Sequence, residues 1–234
     1  MNKESSRGSG VHGQIHACIL SGEWAPGEKL KPAALAERYN TSTTVVREAL
    51  TRLAGEKFVV MEPNRGFFVP ELSLSELRDI TEVRCRVEAW ALELAVDRGD
   101  LTWESALMAA HHQLAKTPRR NAEDPTHVTE AWADAHREFH RKLIEPCGFP
   151  VLMDLSQQLH DTTELYRRWA APSTAAAHRD VEAEHKEILD AVVARDAVLA
   201  AELLRKHYEF TMEVVLSSGL IEGINTPAQT AQTA

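Results

Sequence analysis

Cysteine and long apolar runs are scarce in this sequence, and the scarcity narrows the class of protein. The three cysteines are scattered and odd in number, which favours a reduced cytoplasmic setting over a disulfide framework. No run approaches the roughly 18 consecutive apolar residues that a membrane-spanning helix needs. Residues 1–10 are polar and do not carry the apolar stretch of a signal peptide. We therefore expect a cytoplasmic protein that has no membrane partner.

Basic charge is also in short supply, since 26 Lys and Arg stand against 35 Asp and Glu, a net charge of −9. The acidic excess lies in the second part of the chain. Residues 1–71 hold nine basic and eight acidic side chains, whereas the remainder holds 17 and 27. Charge alone therefore does not predict nucleic-acid binding, and such a prediction depends on the pattern of residues.

The pattern in the first part predicts helix, helix, tight turn, helix and hairpin. Asn40 is suited to a left-handed turn, and Ser42 or Thr43 can cap the helix that follows. The predicted elements are helices over 11–20, 32–39 and 43–54 and strands over 58–61 and 66–69. This order is typical of a winged helix-turn-helix domain, which we place at residues 1–70.

The second part is predicted to be an all-α helical bundle at residues 74–218, after a linker at 70–73. No strand pattern appears in it. About six helices are expected, over 74–98, 102–117, 127–146, 149–170, 178–194 and 196–217. The small polar residues of 219–234 predict a flexible tail. The fold class is thus mostly α, with a winged helix-turn-helix in front of a helical bundle.

The first part also carries four motifs. They read PGEKL at 26–30, LAERYNTS at 35–42, VREALTRL at 46–53 and RGFFV at 65–69. Together they resemble the GntR family of transcriptional regulators. The resemblance implies binding to double-stranded operator DNA, and we expect a homodimer because one winged helix reads too few base pairs for useful specificity.

The side chains expected to contact DNA lie on the third predicted helix and on the hairpin. Thr hydroxyls and a helix N-terminus suit phosphate oxygens, and Arg47 can reach a guanine edge or a phosphate. Arg52 can either contact DNA or pair locally with Glu48. The predicted contacts are Thr43, Thr44, Arg47, Arg52, Arg65 and Gly66.

Motifs in the second part read VRCRVE at 83–88, FHRKL at 139–143 and HKEILDA at 185–191, followed by His207. Their order and spacing resemble the FCD ligand-binding domain. His136 and His140 are one helical turn apart, a spacing that lets two imidazoles face one metal ion. His185 and His207 also fall on otherwise apolar helix faces, although a hydrogen-bonded core histidine is the common alternative for each.

The resemblance implies a metal site of one Asp and three His, in which His136 takes the place of the Asp. An all-imidazole set of His136, His140, His185 and His207 favours a transition metal over Mg²⁺ or Ca²⁺. Zn²⁺ is the expected ion, with Ni²⁺ or Mn²⁺ as alternatives.

Arg84 is the remaining charged residue on an apolar face, and a buried guanidinium needs an anion. That anion is either Glu88, one turn along, or a bound ligand. We expect a small organic acid, gripped by Arg84 and the metal, to be the effector of a repressor that is not an enzyme. The alternative from another class is a metal-dependent hydrolase or lyase that uses the four histidines.

Overall fold

The computed structural model describes residues 3–120 and 122–219, and the predicted tail beyond them lies outside this range. The described residues divide into two compact units. The first unit lies within Met1–Leu72 and Gln157–Trp169, and the second within Ser73–Ser156 and Ala170–Ala234. Residues 157–169 are part of the segment that the sequence placed in the helical bundle, yet they group with the first unit.

The first unit is a winged helix-turn-helix. Its elements are α1 (Lys3–Leu20), β1 (Lys29–Leu30), α2 (Pro32–Arg38), α3 (Thr43–Gly55), β2 (Val60–Glu62) and β3 (Gly66–Phe68). Asn40 takes the left-handed conformation with φ of 48°, and the Ser42 side chain caps α3 by accepting from the Val45 amide. These two residues set the tight turn between α2 and α3, as the sequence predicted.

The three strands form an antiparallel sheet in the order β1-β3-β2. Lys29 of β1 and Val60 of β2 both lie opposite Phe68 of β3. The sequence did not predict β1, because two residues are too few to show an alternating pattern. The core between α1, α3 and the sheet is apolar and fully buried, and includes Ile15, Ile19, Leu30, Val46, Leu50, Leu53 and Phe67.

The second unit is helical, and its described residues contain no strand. The helices of this part of the chain are α4 (Leu74–Arg98), α5 (Leu101–Lys116), α6 (Glu130–Ile144), α7 (Pro150–Ala170), α8 (Thr174–His178), α9 (Val181–Val193) and α10 (Ala197–Ser217). Helix α7 begins in the second unit and continues into the first. The short α8 was not predicted, because five residues do not span enough turns to show a period.

The helices of the second unit pack in pairs around one apolar core. Helix α10 packs along α4 and α9, and α5 packs along α6 and α9. Leu92, Leu107, Phe139 and Ile188 are fully buried where these helices meet. Side-chain caps begin most of them, since Asp100, Thr129, Asp180 and Asp196 each accept from a backbone amide of the first turn. In the part of the chain that the structure describes, no helix is long and apolar enough to cross a bilayer.

Candidate metal centre and DNA-contacting surface

Three helices of the second unit bring four imidazoles together. His136 and His140 lie on α6, His185 on α9 and His207 on α10, and none is more than 4% exposed. Their candidate ligand atoms all lie within 4.8 Å of one another. We refer to these four residues as the four-histidine centre.

The spacing of the nitrogen atoms suits a single ion. His140 Nε2 is 3.3 Å from His185 Nε2. In a tetrahedral site with Zn–N bonds of about 2.0–2.1 Å, two ligand nitrogens lie roughly 3.3–3.4 Å apart. The four residues therefore fit a divalent transition-metal ion, and the geometry brings together all four histidines that the sequence singled out.

In two of the four histidines, His207 and His140, the Nδ1 atom has a hydrogen-bond partner outside the centre. The partner of His207 is a carboxylate. His207 Nδ1 is 2.7 Å from Glu184 Oε2, and Arg179 donates to both oxygens of the same carboxylate at 2.6 and 2.7 Å. Burial opposes ionisation of Glu184, but the hydrogen bonds from Arg179 and His207 lower its pKa to about 2. Because an ionised carboxylate only accepts, Nδ1 of His207 carries the hydrogen and Nε2 keeps its lone pair for a metal.

The charge state of His207 agrees with this role. Burial lowers the pKa of His207 to about 4, even though the hydrogen bond to Glu184 acts in the opposite direction. The imidazole is therefore neutral at pH 7, which is the form that binds a metal ion.

A longer chain of hydrogen bonds orients His140. Arg84 Nε donates to Glu88 Oε1 at 2.7 Å, and the Tyr208 hydroxyl donates to the other oxygen of Glu88. Burial and the neighbouring Glu88 charge raise the pKa of Tyr208, so the phenol stays protonated. Tyr208 gives its only hydrogen to Glu88, and the 3.3 Å contact with His140 Nδ1 must then be donated by the imidazole. Nε2 of His140 is left to face the centre.

The same contacts show where Arg84 lies. Its side chain is 4% exposed and pairs with that of Glu88, which is 2% exposed, so the anion within the described residues is the one a turn along α4. The guanidinium also lies 4.0 Å from the centre of the Tyr208 ring. A ligand role for Arg84 stays a prediction, and it would require the ligand to compete with Glu88.

The residues expected to contact DNA occupy one side of the first unit. Thr43, Thr44 and Arg47 are exposed on the first turns of α3, opposite its buried face. The Arg47 guanidinium is 6.0 Å from the Phe67 ring of β3, so the start of α3 adjoins the hairpin. Arg65 and Gly66 are at the hairpin turn, where the Arg65 side chain is 71% exposed and paired with Glu62.

Arg52 has a local partner, but a different one from the partner that the sequence suggested. Its Nε donates to Glu56 at 2.9 Å, not to Glu48. Both acidic residues are four positions away, and Glu56, which follows α3 directly, also contacts His12 at 2.8 Å. A role for Arg52 in DNA binding stays a prediction.

Sequence reasoning missed the residues that orient the ligands, namely Arg179, Glu184 and Tyr208. Glu184 stands beside a candidate ligand in the sequence, but the imidazole it contacts is 23 residues away on α10. Tyr208 meets Glu88 across 120 residues. Periodicity reports which face of a helix is buried, and it carries no signal for such pairs.

A winged helix-turn-helix joined to a helical bundle with a buried candidate metal centre is the architecture of a DNA-binding regulator. Residues 8–69 match the bacterial regulatory proteins of the gntR family, and residues 79–210 match the FCD domain. The chain belongs to the GntR family of transcriptional regulators, which bind operator DNA and are not enzymes. Nothing supports the alternative of a metal-dependent hydrolase or lyase.

Relatives of known sequence and structure agree with this assignment. The HTH-type transcriptional regulator BphR of Paraburkholderia xenovorans is 36% identical over 89% of this chain and 84% of its own length. The transcriptional repressor GlaR of Escherichia coli is 32% identical over 81% of this chain and 86% of its own. The structure of Escherichia coli McbR/YncC covers 93% of this chain and 99% of its own with a TM-score of 0.70, and at 22% identity it shows the shared fold.

The contacts of Glu184 lead to a test of the metal centre. Replacing Glu184→Gln should weaken Zn²⁺ binding about 10- to 100-fold. A carboxylate fixes the tautomer of His207 and raises the basicity of its other nitrogen, and a neutral amide does neither as well. Competition with a chromophoric chelator, on protein purified without an affinity tag, measures the affinity and should give about one ion per wild-type chain. Glu182→Gln, an exposed acid on the same turn of α9, is the matched control. Equal affinities in the two variants would contradict the orienting role.

Proposed function

We propose that this protein is a homodimeric repressor that binds operator DNA and releases it when a small carboxylate binds beside a metal ion in the second unit. The observation that carries the proposal is the four-histidine centre, because four buried imidazoles, two of them with fixed tautomers, have no evident use in a bundle that only holds DNA-binding domains. The repressor role is favoured by the relative GlaR, which is named as a transcriptional repressor.

The DNA contacts follow from exposure and chemistry at the start of α3. The hydroxyls of Thr43 and Thr44 and the amides of the first turn can donate to phosphate oxygens. Arg47 is long enough to reach a base edge in the major groove. Arg65 can supply a phosphate or minor-groove contact, Gly66 lets the hairpin turn approach the backbone closely, and Arg52 would add a phosphate contact from the next turns of α3.

The homodimer is supported by a second apolar face on α4. Besides the face buried in the bundle, α4 has an outward stripe at alternating spacings of three and four residues, which is the a/d pattern of paired helices. We call it the outer stripe; its members are Ile80, Val83, Val87 and Trp90. Val83 is 39% and Trp90 49% exposed, and the Phe149 ring stacks on Trp90 at 5.8 Å. A second copy of α4 offers the same stripe, as a two-fold interface requires.

The metal is proposed to be Zn²⁺, with Ni²⁺ or Mn²⁺ as alternatives, because four imidazoles suit a borderline transition metal better than Mg²⁺ or Ca²⁺. When bound, the ion would act as a Lewis acid that accepts an oxygen of the effector as a further ligand. The surrounding residues would hold the ion in place and exclude water, and burial keeps His207 neutral.

The effector is proposed to be a small carboxylate because the neighbourhood of the centre offers cations. The planar guanidinium of Arg84 can form two hydrogen bonds to a ligand carboxylate once its contact with Glu88 is partly or wholly released. Helix α4 carries Arg84 and begins at Leu74, directly after the linker. Differential affinity for two positions of this helix, typically about 1–3 kcal/mol, is enough to couple effector binding to DNA release.

Replacing Arg47→Ala should weaken binding to an operator selected from random DNA. The expected loss is about 1–3 kcal/mol if the side chain reads a base. Fluorescence anisotropy at fixed salt gives the affinity, and Arg78→Ala, an exposed arginine of α4 outside the outer stripe, is the control. If Arg47→Ala binds as tightly as wild type, the assigned role of α3 is wrong.

A charge on the outer stripe should separate the dimer. Trp90→Glu places a carboxylate in the middle of the proposed contact, and light scattering coupled to gel filtration should then report a monomer with an unchanged circular dichroism spectrum. Leu101→Glu alters a residue that is 73% exposed away from the stripe and should leave the dimer intact. A dimeric Trp90→Glu protein would place the interface elsewhere.

Calorimetry with acetate, lactate, malate and citrate tests the effector class. The metal-loaded wild-type protein should bind at least one of these acids, and removal of the metal or Arg84→Lys should weaken that binding roughly tenfold or more, because a lysine cannot make the bidentate contact. Arg86→Lys, an exposed neighbour on α4, should bind as the wild type does. If the metal-free protein and the Arg84→Lys protein both bind the acid as tightly as the metal-loaded wild type, the acid is not held by Arg84 and the metal.

A further inference from the structure

A row of aromatic rings with an arginine at each end runs through the four-histidine centre. Its members, in order of contact, are Arg119, Trp132, His136, His140, Tyr208 and Arg84. The Arg119 guanidinium lies 5.3 Å from the Trp132 ring, and Trp132 stacks on His136 at 4.8 Å. His136 and His140 are 4.5 Å apart, His140 and Tyr208 5.8 Å, and Arg84 lies 4.0 Å from the Tyr208 ring.

The two ends of this row differ in how their polar groups are satisfied. At the Arg84 end, Glu88 accepts from both the guanidinium and the Tyr208 hydroxyl. At the other end, the Trp132 indole is 6% exposed, and its Nε1–H meets no hydrogen-bond acceptor in the part of the chain that the structure describes. One end therefore already holds an acceptor, and the other holds a donor that lacks one.

The unpaired indole is an exception among the buried tryptophans. Trp103 Nε1 donates to the Lys142 carbonyl at 2.7 Å, and Trp169 Nε1 donates to the Ile19 carbonyl at 2.8 Å. A buried donor without an acceptor carries its full desolvation penalty, so a native protein that keeps one needs a reason for it. A ligand that supplies the acceptor is such a reason.

We infer that Trp132 Nε1–H is a binding donor for the carboxylate effector, at the Arg119 end of the row. The inference rests on the proposed function, since it assumes an effector beside the centre. The missing partner must accept a hydrogen bond in the plane of the indole, beside a ring that has the Arg119 guanidinium at 5.3 Å and a candidate metal ligand, His136, stacked on it at 4.8 Å. An anionic oxygen gains from the positive charges of the guanidinium and of a bound metal ion, whereas a neutral carbonyl or a water molecule gains less.

This assignment gives the effector two anchors of different kinds. Arg84 must release part of its contact with Glu88 before it can hold a ligand, whereas Trp132 has no such competitor among the described residues. The indole hydrogen bond would therefore be gained without loss of an internal one. A small acid would first gain its affinity at Trp132, and any movement of Arg84 would follow.

Two conservative substitutions of buried tryptophans separate the donor from the ring. Trp132→Phe and Trp103→Phe remove the same ring atoms and leave a phenyl ring, but the N–H lost from Trp132 is unpaired whereas the one lost from Trp103 is already bonded. Without ligand, the unfolding midpoint of Trp132→Phe should fall less than that of Trp103→Phe, because only the latter loses a hydrogen bond, the one from Nε1 to the Lys142 carbonyl. With metal bound, Trp132→Phe should bind the best acid among acetate, lactate, malate and citrate about tenfold more weakly or worse, and Trp103→Phe should bind it as wild type does.

The outcomes distinguish this inference from the proposed function. If wild type binds an acid and Trp132→Phe binds it equally well at full metal content, the indole serves another partner, such as a water molecule, and the inference is wrong. If the metal-loaded wild type binds none of the acids, the carboxylate effector itself is contradicted and the inference falls with it. A selective loss in Trp132→Phe supports both.

Discussion

The arrangement of the second unit depends on the cost of burying polar groups in a helical bundle. Four imidazoles, two arginines and two glutamates lie at or near the contacts of α4, α6, α9 and α10, and most are almost completely buried. An ionised group in such a place costs several kcal/mol unless a partner compensates it. Arg84 pairs with Glu88 one turn along α4, and Arg179 pairs with Glu184 at the start of α9, so each pair is satisfied within its own segment. The two carboxylates also bind residues of α10, since Glu88 accepts from Tyr208 and Glu184 contacts His207, and these contacts help to place α4, α9 and α10 around the histidines.

The two arginine–carboxylate pairs also set the electrostatic state of the centre. Each pair is neutral, and each carboxylate directs a hydrogen-bond chain that leaves a ligand nitrogen of His207 or His140 free of its hydrogen. Burial keeps His207 neutral, and an all-imidazole ligand set carries no negative charge, so a divalent ion would bring two uncompensated positive charges into the core. Such a site favours an anionic ligand, because the ion's charge is poorly screened in the interior. The proposed preference for a carboxylate thus follows from the all-histidine ligand set as much as from any arginine.

The sequence predicts whatever depends on one element at a time. Helix bounds, the Ser42 cap and the left-handed Asn40 are local, and the inward facing of His136 and His140 follows from helical spacing. Contacts between elements are another matter. The hydroxyl of Tyr208 meets Glu88 on a different helix, and β1 exists only because two residues pair with β3. Residues 157–169 group with the first unit although their own pattern is that of an ordinary amphipathic helix.

Helix α4 carries Arg84 on its buried face and the outer stripe on its outward face, and it begins directly after the linker. Val83 and Arg84 are adjacent, and successive residues of an α-helix point about 100° apart, so the first faces outward while the second is buried against Tyr208. A shift or rotation of α4 that changes the contact of Arg84 with Tyr208 therefore moves the outer stripe as well. Packed interfaces settle in discrete arrangements and do not deform continuously, so in the proposed homodimer such a movement would favour one pairing of the outer stripe over another. Because α4 begins directly after the linker, the proposed release of DNA would need only this helix to move, and no change inside the winged helix-turn-helix.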